Sequence, residues 1–267
     1  MPTRRSTEPD IQALRGLHLY HAKLSNSSMR VRLLLEEKGL VWTSHLLDAT
    51  RQDNLDDGYL RINPTSLLPS LVHDGVVVTE SNDILYHLEE RFPEPRLSPV
   101  EESERAVMRE WVDLAASSHP TTLKPWQYAV TGTRTKRPQD MERYRQLQSD
   151  PDLVAFHQRS LDGFTEAEIA DAVQRNHAIL ARMEGALTGA PWLVGGYGLA
   201  DIAWFPNVLL LDLLGFPTGD YPAVRRWLAT ARSRPTARSA IGRSPLRLPG
   251  WLLRPIVRVR KALPSRG

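Results

Sequence analysis

Apolar and polar residues alternate over Leu17-His18-Leu19-Tyr20, the period of a half-buried strand. The polar turn Ser25-Asn26-Ser27-Ser28-Met29-Arg30 then leads into a segment with Val31, Leu34 and Leu35 on one face and Gly39 as its stop, which is helical spacing. Farther on, Ser70-Leu71 and Val76 to Val78 flank His73-Asp74-Gly75 and predict a strand pair joined by a tight turn. Pro69 stands at the start of that pair, where a residue without a ladder N–H is tolerated. Glu80-Ser81 opens another helix, with Ile84, Leu85 and Leu88 along its apolar side.

Beyond the linker Pro93-Glu94-Pro95 the pattern becomes helical. Val107, Met108, Trp111, Val112 and Ala115 give Arg105 to Ala116 an amphipathic face. Thr165-Glu166-Ala167-Glu168 is a capping-box sequence, followed by Ile179, Leu180, Met183 and Leu187 up to Gly189. The most apolar stretch, Leu199 to Phe216, contains Asp201, Pro206, Asn207 and Asp212, so it predicts a buried helix and not a membrane span.

The chain has 267 residues, 41% hydrophobic and 24% charged, an ordinary soluble composition with room for one large domain or two smaller ones. Its net charge of +3 is not concentrated along the main body, so nucleic acid is not implied as a partner. The polar first ten residues lack an apolar signal region. Cysteine is absent, which changes the picture more. No disulfide, thiolate metal site or protein mixed disulfide is possible.

Two polar clusters carry candidate chemistry. Hydroxyls at the start of a helix, here Ser25, Ser27 and Ser28, can hydrogen-bond a thiolate with help from the helix dipole, lowering a thiol pKa from about 8.5 towards neutrality. They equally suit plain capping. At the second helix, free N–H groups with the Ser81 hydroxyl suit a carboxylate, and Glu80 suits an ammonium. An amino-acid head group needs both.

In this order, the strand, Ser-rich turn, helix ending Glu36-Glu37-Lys38-Gly39, Asn63-Pro64, Leu68-Pro69, hairpin and Glu80-Ser81 resemble the thioredoxin-like domain of the glutathione S-transferase superfamily. The segment Trp192 to Ala203 resembles the capping motif of that superfamily's helical domain. The resemblance implies an α/β thioredoxin-like domain over 17–95, an all-α domain over 99–241 and a basic tail over 242–267. It implies glutathione as co-substrate with no metal, a small electrophilic substrate, a cytoplasmic homodimer and a role in detoxification.

Carried over residue by residue, Ser25 matches the Ser or Cys of several classes, with Asn26 where proline is usual. Ser28 matches the serine of bacterial β-aryl-etherase-like members, the subgroup closest in pattern, and Ser27 the cysteine of another class. The order of preference for thiol activation is Ser25, Ser28, Ser27; Tyr20 is a minor candidate better suited to the core. The glutathione-binding set is Asn26, Leu68, Pro69, Glu80 and Ser81: Leu68, before a cis Pro69, would pair with the cysteinyl part, and Glu80 and Ser81 would hold the γ-glutamyl end. Leu67 stands where the family often has Lys or Gln for the glycyl carboxylate, a task that would fall to Arg51 or His45.

His119, Trp126 and Tyr128 are candidates for an acceptor pocket, because aromatic walls suit aromatic substrates. Asp201 is expected to be structural, with only half a capping box because Gly198 replaces the usual Ser or Thr. The tail holds basic and apolar residues and no acid. Contact with an anionic membrane is one reading of it, but its prolines favour a packed or partly ordered extension. The competing view of the whole chain is a non-catalytic binding or regulatory protein on the same fold.

Overall fold

The computed structural model describes residues 3–132, 134 and 136–241. They divide into two compact units. The first takes in the chain up to Pro95 together with Arg134–Gly163; the second begins at Arg96 and resumes at Phe164. The basic tail expected over 242–267 lies outside the described residues.

In the first unit, β1 (Thr3–Arg5), β2 (Leu17–His21), β3 (Trp42–Leu46), β4 (Ser70–His73) and β5 (Val76–Thr79) form one sheet in the order β1-β5-β4-β2-β3. Only the β2–β3 pair is parallel. The β4–β5 hairpin turns through Asp74 and Gly75, both at positive φ (50° and 77°). This is the combination that suits the right-handed strand twist. A side chain at Gly75 would also stand 2.8 Å from the Gln12 carbonyl oxygen, so close approach adds a second reason for glycine.

Period-two alternation sorts the sheet residues onto two faces. Tyr20, Val72 and Val77 pack with Ile11 of α1 (Pro9–Gln12), Tyr59 of α3 (Asp57–Leu60) and Ile62. Leu17, Leu19, Leu71 and Val78 are buried on the other face. There α4 (Ser81–Arg91) contacts β4 and β5, and α2 (Asn26–Glu37) packs on α4.

Residues before 17 belong to this unit, contrary to the expected boundary. Strand β1 is exposed and has no apolar alternation, hence no sequence signal. It is held by pairing with β5 and by Arg4, which donates to the carbonyls of Arg61 and Ile62 (3.0 and 2.8 Å).

The second unit contains α5 (Glu102–Ser118), a π-helical turn over His119–Leu123, α6 (Lys124–Thr131), α9 (Glu166–Leu187), α10 (Leu199–Leu213), α11 (Pro222–Ser233) and α12 (Pro235–Ile241). Between them in sequence, α7 (Met141–Leu147) and α8 (Pro151–Asp162) fold with the first unit. The expected all-helical region over 99–241 is therefore interrupted in space. Tyr144 and Met141 carry the α7 and α8 pair into a buried cluster with Leu55.

Helix α10 is buried nearly all round, as its apolar sequence predicts. Asp201 in its first turn accepts from the N–H groups of Leu193 and Gly198 (both 3.1 Å) and from the Trp227 indole (2.7 Å). Burial nevertheless pushes its carboxyl up to about 6, the three donors acting in the opposite sense. Removing this acceptor strands three buried donors, each worth about 1–3 kcal/mol.

The first N–H of α10 has an acceptor from outside the helix. The Leu97 carbonyl accepts from the Leu199 N–H at 2.8 Å, and a side chain on Gly198 would overlap that oxygen. Gly198 is in extended backbone (φ −161°), so space and not conformation excludes other residues. Gly198→Ser, which restores the usual hydroxyl, is therefore expected to destabilise the second unit by about 1–3 kcal/mol, the usual cost of overpacking. Urea unfolding checks this; a gain in stability would show that Leu97 yields easily.

Candidate functional site

Strand register brings the polar clusters of the first unit together. Tyr20 pairs with Ser70, and Ser70 with Thr79, so the end of β2, the start of β4 and the end of β5 share one end of the sheet. The turn at Ser25 follows the first, Leu68-Pro69 precedes the second and Glu80-Ser81 follows the third. The N-termini of α2 and α4 open at the same end, and Arg30 of α2 donates to the Asn82 side chain of α4 at 3.0 Å. Burial draws the Arg30 guanidinium down to about 10.

Ser25 is the N-cap of α2, in extended backbone, and its Oγ accepts from the Ser28 N–H at 3.1 Å. That bond uses the oxygen as acceptor and leaves the hydroxyl proton to be donated elsewhere. Ser25 and Ser27 are half-buried. Ser28 has no accessible surface, and its Oγ accepts from the Ala22 N–H at 3.2 Å. The Ser28 side chain, second in the sequence order, is thus turned into the interior, unlike those of Ser25 and Ser27. Asn26 retains 4% exposure.

The chain leading to Ser25 is fixed by a buried pair. Arg32 donates to the carbonyls of Ala22 and Lys23 (3.0 and 3.1 Å) and to His21 Nδ1 (3.2 Å). With Nδ1 accepting, the ring proton is on Nε2, which donates to Ser44 Oγ at 2.8 Å. Burial, and secondarily the Arg32 charge, lowers His21 to about 4.

Tyr20 points to the opposite face, stacked on His45 with ring centroids 4.2 Å apart, and so does not approach the turn. His45 is tied to His18 as well (3.0 Å), which occupies it away from the glycyl-end role considered for it. Arg51 is exposed.

The peptide bond between Leu68 and Pro69 is cis. The three preceding carbonyls are all anchored: Thr65 by the Gln148 amide (2.8 Å), Ser66 by the Asn54 amide (2.7 Å), and Leu67 by the Tyr59 hydroxyl and the Asn63 amide (3.0 Å). Leu68 follows half-buried. Among the described residues, no group bonds its N–H or C=O.

Glu80 has φ 64° and ψ 125°, a region non-glycine residues seldom occupy and which strained functional positions often do. Partial desolvation, and then the Asp83 charge, raise its carboxyl above the ordinary range. Ser81, 7% exposed, is the first residue of α4.

Residues 19–96 match the N-terminal domain of glutathione S-transferases, and residues 145–235 match their C-terminal domain. Protein LigF of Sphingobium sp. strain SYK-6 is 30% identical over 243 residues, 85% of this chain and 94% of that protein. The chain belongs to the glutathione S-transferase superfamily. The crystal structure of the beta-etherase LigF superposes with a TM-score of 0.76 at 28% identity, covering 85% of this chain and 99% of that one. Glutathione S-transferase TCHQD of Arabidopsis thaliana is 26% identical, covering 85% and 90%. FtsZ-localized protein A of Caulobacter vibrioides is 28% identical, covering 82% and 88%.

In this glutathione S-transferase superfamily member, the helical unit separates the three pocket candidates. Tyr128 is 1% exposed and stacked on Phe164, packed in the core. Trp126 is half-buried edge-on to Phe216 (5.4 Å), and His119 is half-buried at the start of the π turn. Such turns recur at functional sites.

The supporting residues His21, Arg32, Asn54, Tyr59 and Gln148 were not singled out by the sequence, and Asn63 stood out only as part of the Asn63-Pro64 motif. A signal existed for Arg32, a charge on a helix with apolar residues on every side. None marked Gln148, which lies 83 positions from its partner.

His21 carries a pH dependence with a definite sign. Its native value lies below the ordinary 6.5, so unfolded chains take up the proton first on acidification. The stability it contributes is present above pH 6.5, falls below that, and is gone by about pH 4, a change of order 3 kcal/mol. Imidazole resonances followed by NMR are expected to show His21 neutral down to about pH 5; titration near 6.5 would contradict the buried neutral ring.

Proposed function

We propose that the polar end of the sheet binds glutathione and activates its thiol for attack on an electrophilic carbon of an aromatic or apolar substrate, a β-aryl ether being the leading choice. The observation that carries this is the gathering of Ser25, Leu68-Pro69 and Glu80-Ser81 at one end of the sheet, with two helix N-termini. Similarity to LigF supports the ether.

The donor set fits the tripeptide. Leu68 offers a free N–H and C=O to an extended peptide, the N-terminus of α4 with Ser81 suits a carboxylate, and Glu80 suits the neighbouring ammonium. Glutathione supplies the nucleophilic sulfur, since the chain has no cysteine of its own. The Ser25 hydroxyl, at the positive end of α2, stabilises the thiolate. A carbon–sulfur bond forms, the carbon–oxygen bond of the ether breaks, and the departing phenoxide takes its proton from water. Ser27 is the alternative donor. Half-buried His119 and Trp126 are the candidates for acceptor contact. A cytoplasmic homodimer serving detoxification completes the proposal.

A second reading, a binding or regulatory protein without turnover, draws on similarity to FtsZ-localized protein A and on Leu67 in place of a polar side chain.

Ser25→Ala is expected to lower turnover of an aryl ether by tenfold or more, about 1.4 kcal/mol in the barrier, with glutathione affinity nearly unchanged. Ser28→Ala should instead act on stability, because its hydroxyl only satisfies Ala22. Steady-state kinetics beside thermal unfolding separates the two, and equal turnover in Ser25→Ala and the parent would sink the Ser25 assignment.

Calorimetric titration with glutathione tests the binding site itself. Binding is expected in the parent and lost in Glu80→Ala and Ser81→Ala. An ammonium partner requires ionised Glu80, whose carboxyl is raised in the free protein, so affinity should weaken as pH falls towards and through that raised value. Binding by neither parent nor variants would favour the second reading; affinity unchanged down to pH 4 would remove Glu80 from the site.

A further inference from the structure

We propose that α7 and α8 position the loop that presents Leu68, and that Gln148 is the positioning residue through which they do so. This rests on the reading that Leu68 receives glutathione.

The stretch from α3 to β4 is irregular, so its backbone carbonyls find no ladder partners, and those of Thr65, Ser66 and Leu67 are satisfied by side chains. Asn63 does this for Leu67 from within the stretch, Tyr59 does so from α3, and Asn54, just before α3, does it for Ser66. Thr65 is served from outside. Gln148, 6% exposed, donates its amide N–H to the Thr65 carbonyl at 2.8 Å and stands 3.4 Å from the Tyr144 hydroxyl. Its Oε1 accepts from the Asp150 N–H at 2.9 Å, which settles which end of the amide faces the loop.

The helix behind Gln148 is itself docked on the start of the same segment. Arg143 donates to the Leu55 carbonyl (2.7 Å) and the Asp57 carboxylate (3.0 Å), while Tyr144 and Met141 bury against Leu55. One helical pair thus grips both Leu55–Asp57 and Thr65. The residue between the Gln148 and Asn54 anchors is Ser66, at φ 58°. A non-glycine residue keeps such a conformation only where its surroundings over-determine it. Two positions later comes Leu68, whose backbone geometry decides how well an extended peptide pairs with it.

Without the outside anchor the loop samples other conformations, and ligand binding must then order it. Gln148→Ala is expected to raise the glutathione Kd and KM about threefold to tenfold, the equivalent of one net hydrogen bond, while kcat at saturating glutathione stays within twofold. Amide hydrogen exchange over residues 63–70 should accelerate in the same variant without any ligand. Gln148→Glu keeps the shape and the acceptor for Asp150 but removes the donor to Thr65, so it should reproduce both effects and serves if the alanine variant folds poorly. Gln146→Ala, at an exposed position of α7 whose amide donates to Glu142 on the same helix, is the control expected to change neither.

Folded variants with parent-like exchange over 63–70 and parent-like glutathione affinity would overturn the proposal. A fall in kcat at unchanged KM would overturn it too, because a positioning role does not predict that split. If the parent protein binds no glutathione, the functional reading fails, whereas the exchange measurement still decides whether Gln148 orders the loop.

Discussion

Several backbone carbonyls in the irregular segments around the site are held by buried side chains. Ala22 and Lys23 depend on Arg32, and Thr65, Ser66 and Leu67 on Gln148, Asn54, Tyr59 and Asn63. Each of these groups would cost about 1–3 kcal/mol if buried without a partner. The donors therefore dictate where the two loops run. Sheet register then brings those loops beside the start of α4. The half-buried Ser25 and Leu68 rest on a hidden layer of amide, guanidinium and phenol groups.

The visible layer was legible in the sequence because it consists of local patterns. The alternation at Leu17 to Tyr20, the Ser turn, the hairpin and the Glu80-Ser81 helix start each depend on neighbours a few positions away, and each stands as expected. The supporting layer was not legible, because it depends on pairing across 83 positions for Gln148. Ser28 shows the same limit at close range. Its residue type fits a thiol site as well as Ser25 does, and only its accessible surface, which is nil, separates the two. Strand β1 failed for the opposite reason: it is held by backbone pairing, and its side chains carry no pattern.

Gly198 shows how an apparent defect in a motif can be a substitution of means. The first turn of α10 still receives its acceptor, from the Leu97 main chain, and the glycine is what admits that carbonyl. Asp201 acts within its own turn, whereas Leu97 reaches Leu199 from 102 positions earlier, at the start of the unit. Reading the motif by residue type alone misses an acceptor that comes from outside the helix, to the N–H of Leu199.

The first unit is discontinuous along the chain, closing only when α7 and α8 return to it after the second unit has begun. A ribosome that has released residues up to Pro95 has therefore produced an unfinished half, whose exposed Leu55 awaits a cover translated later. Pro95 is likewise a poor splice point for exchanging halves between relatives. A chimera joined there inherits the sheet from one parent and its buttress from the other, so modularity in this chain follows spatial contact and not the order of residues.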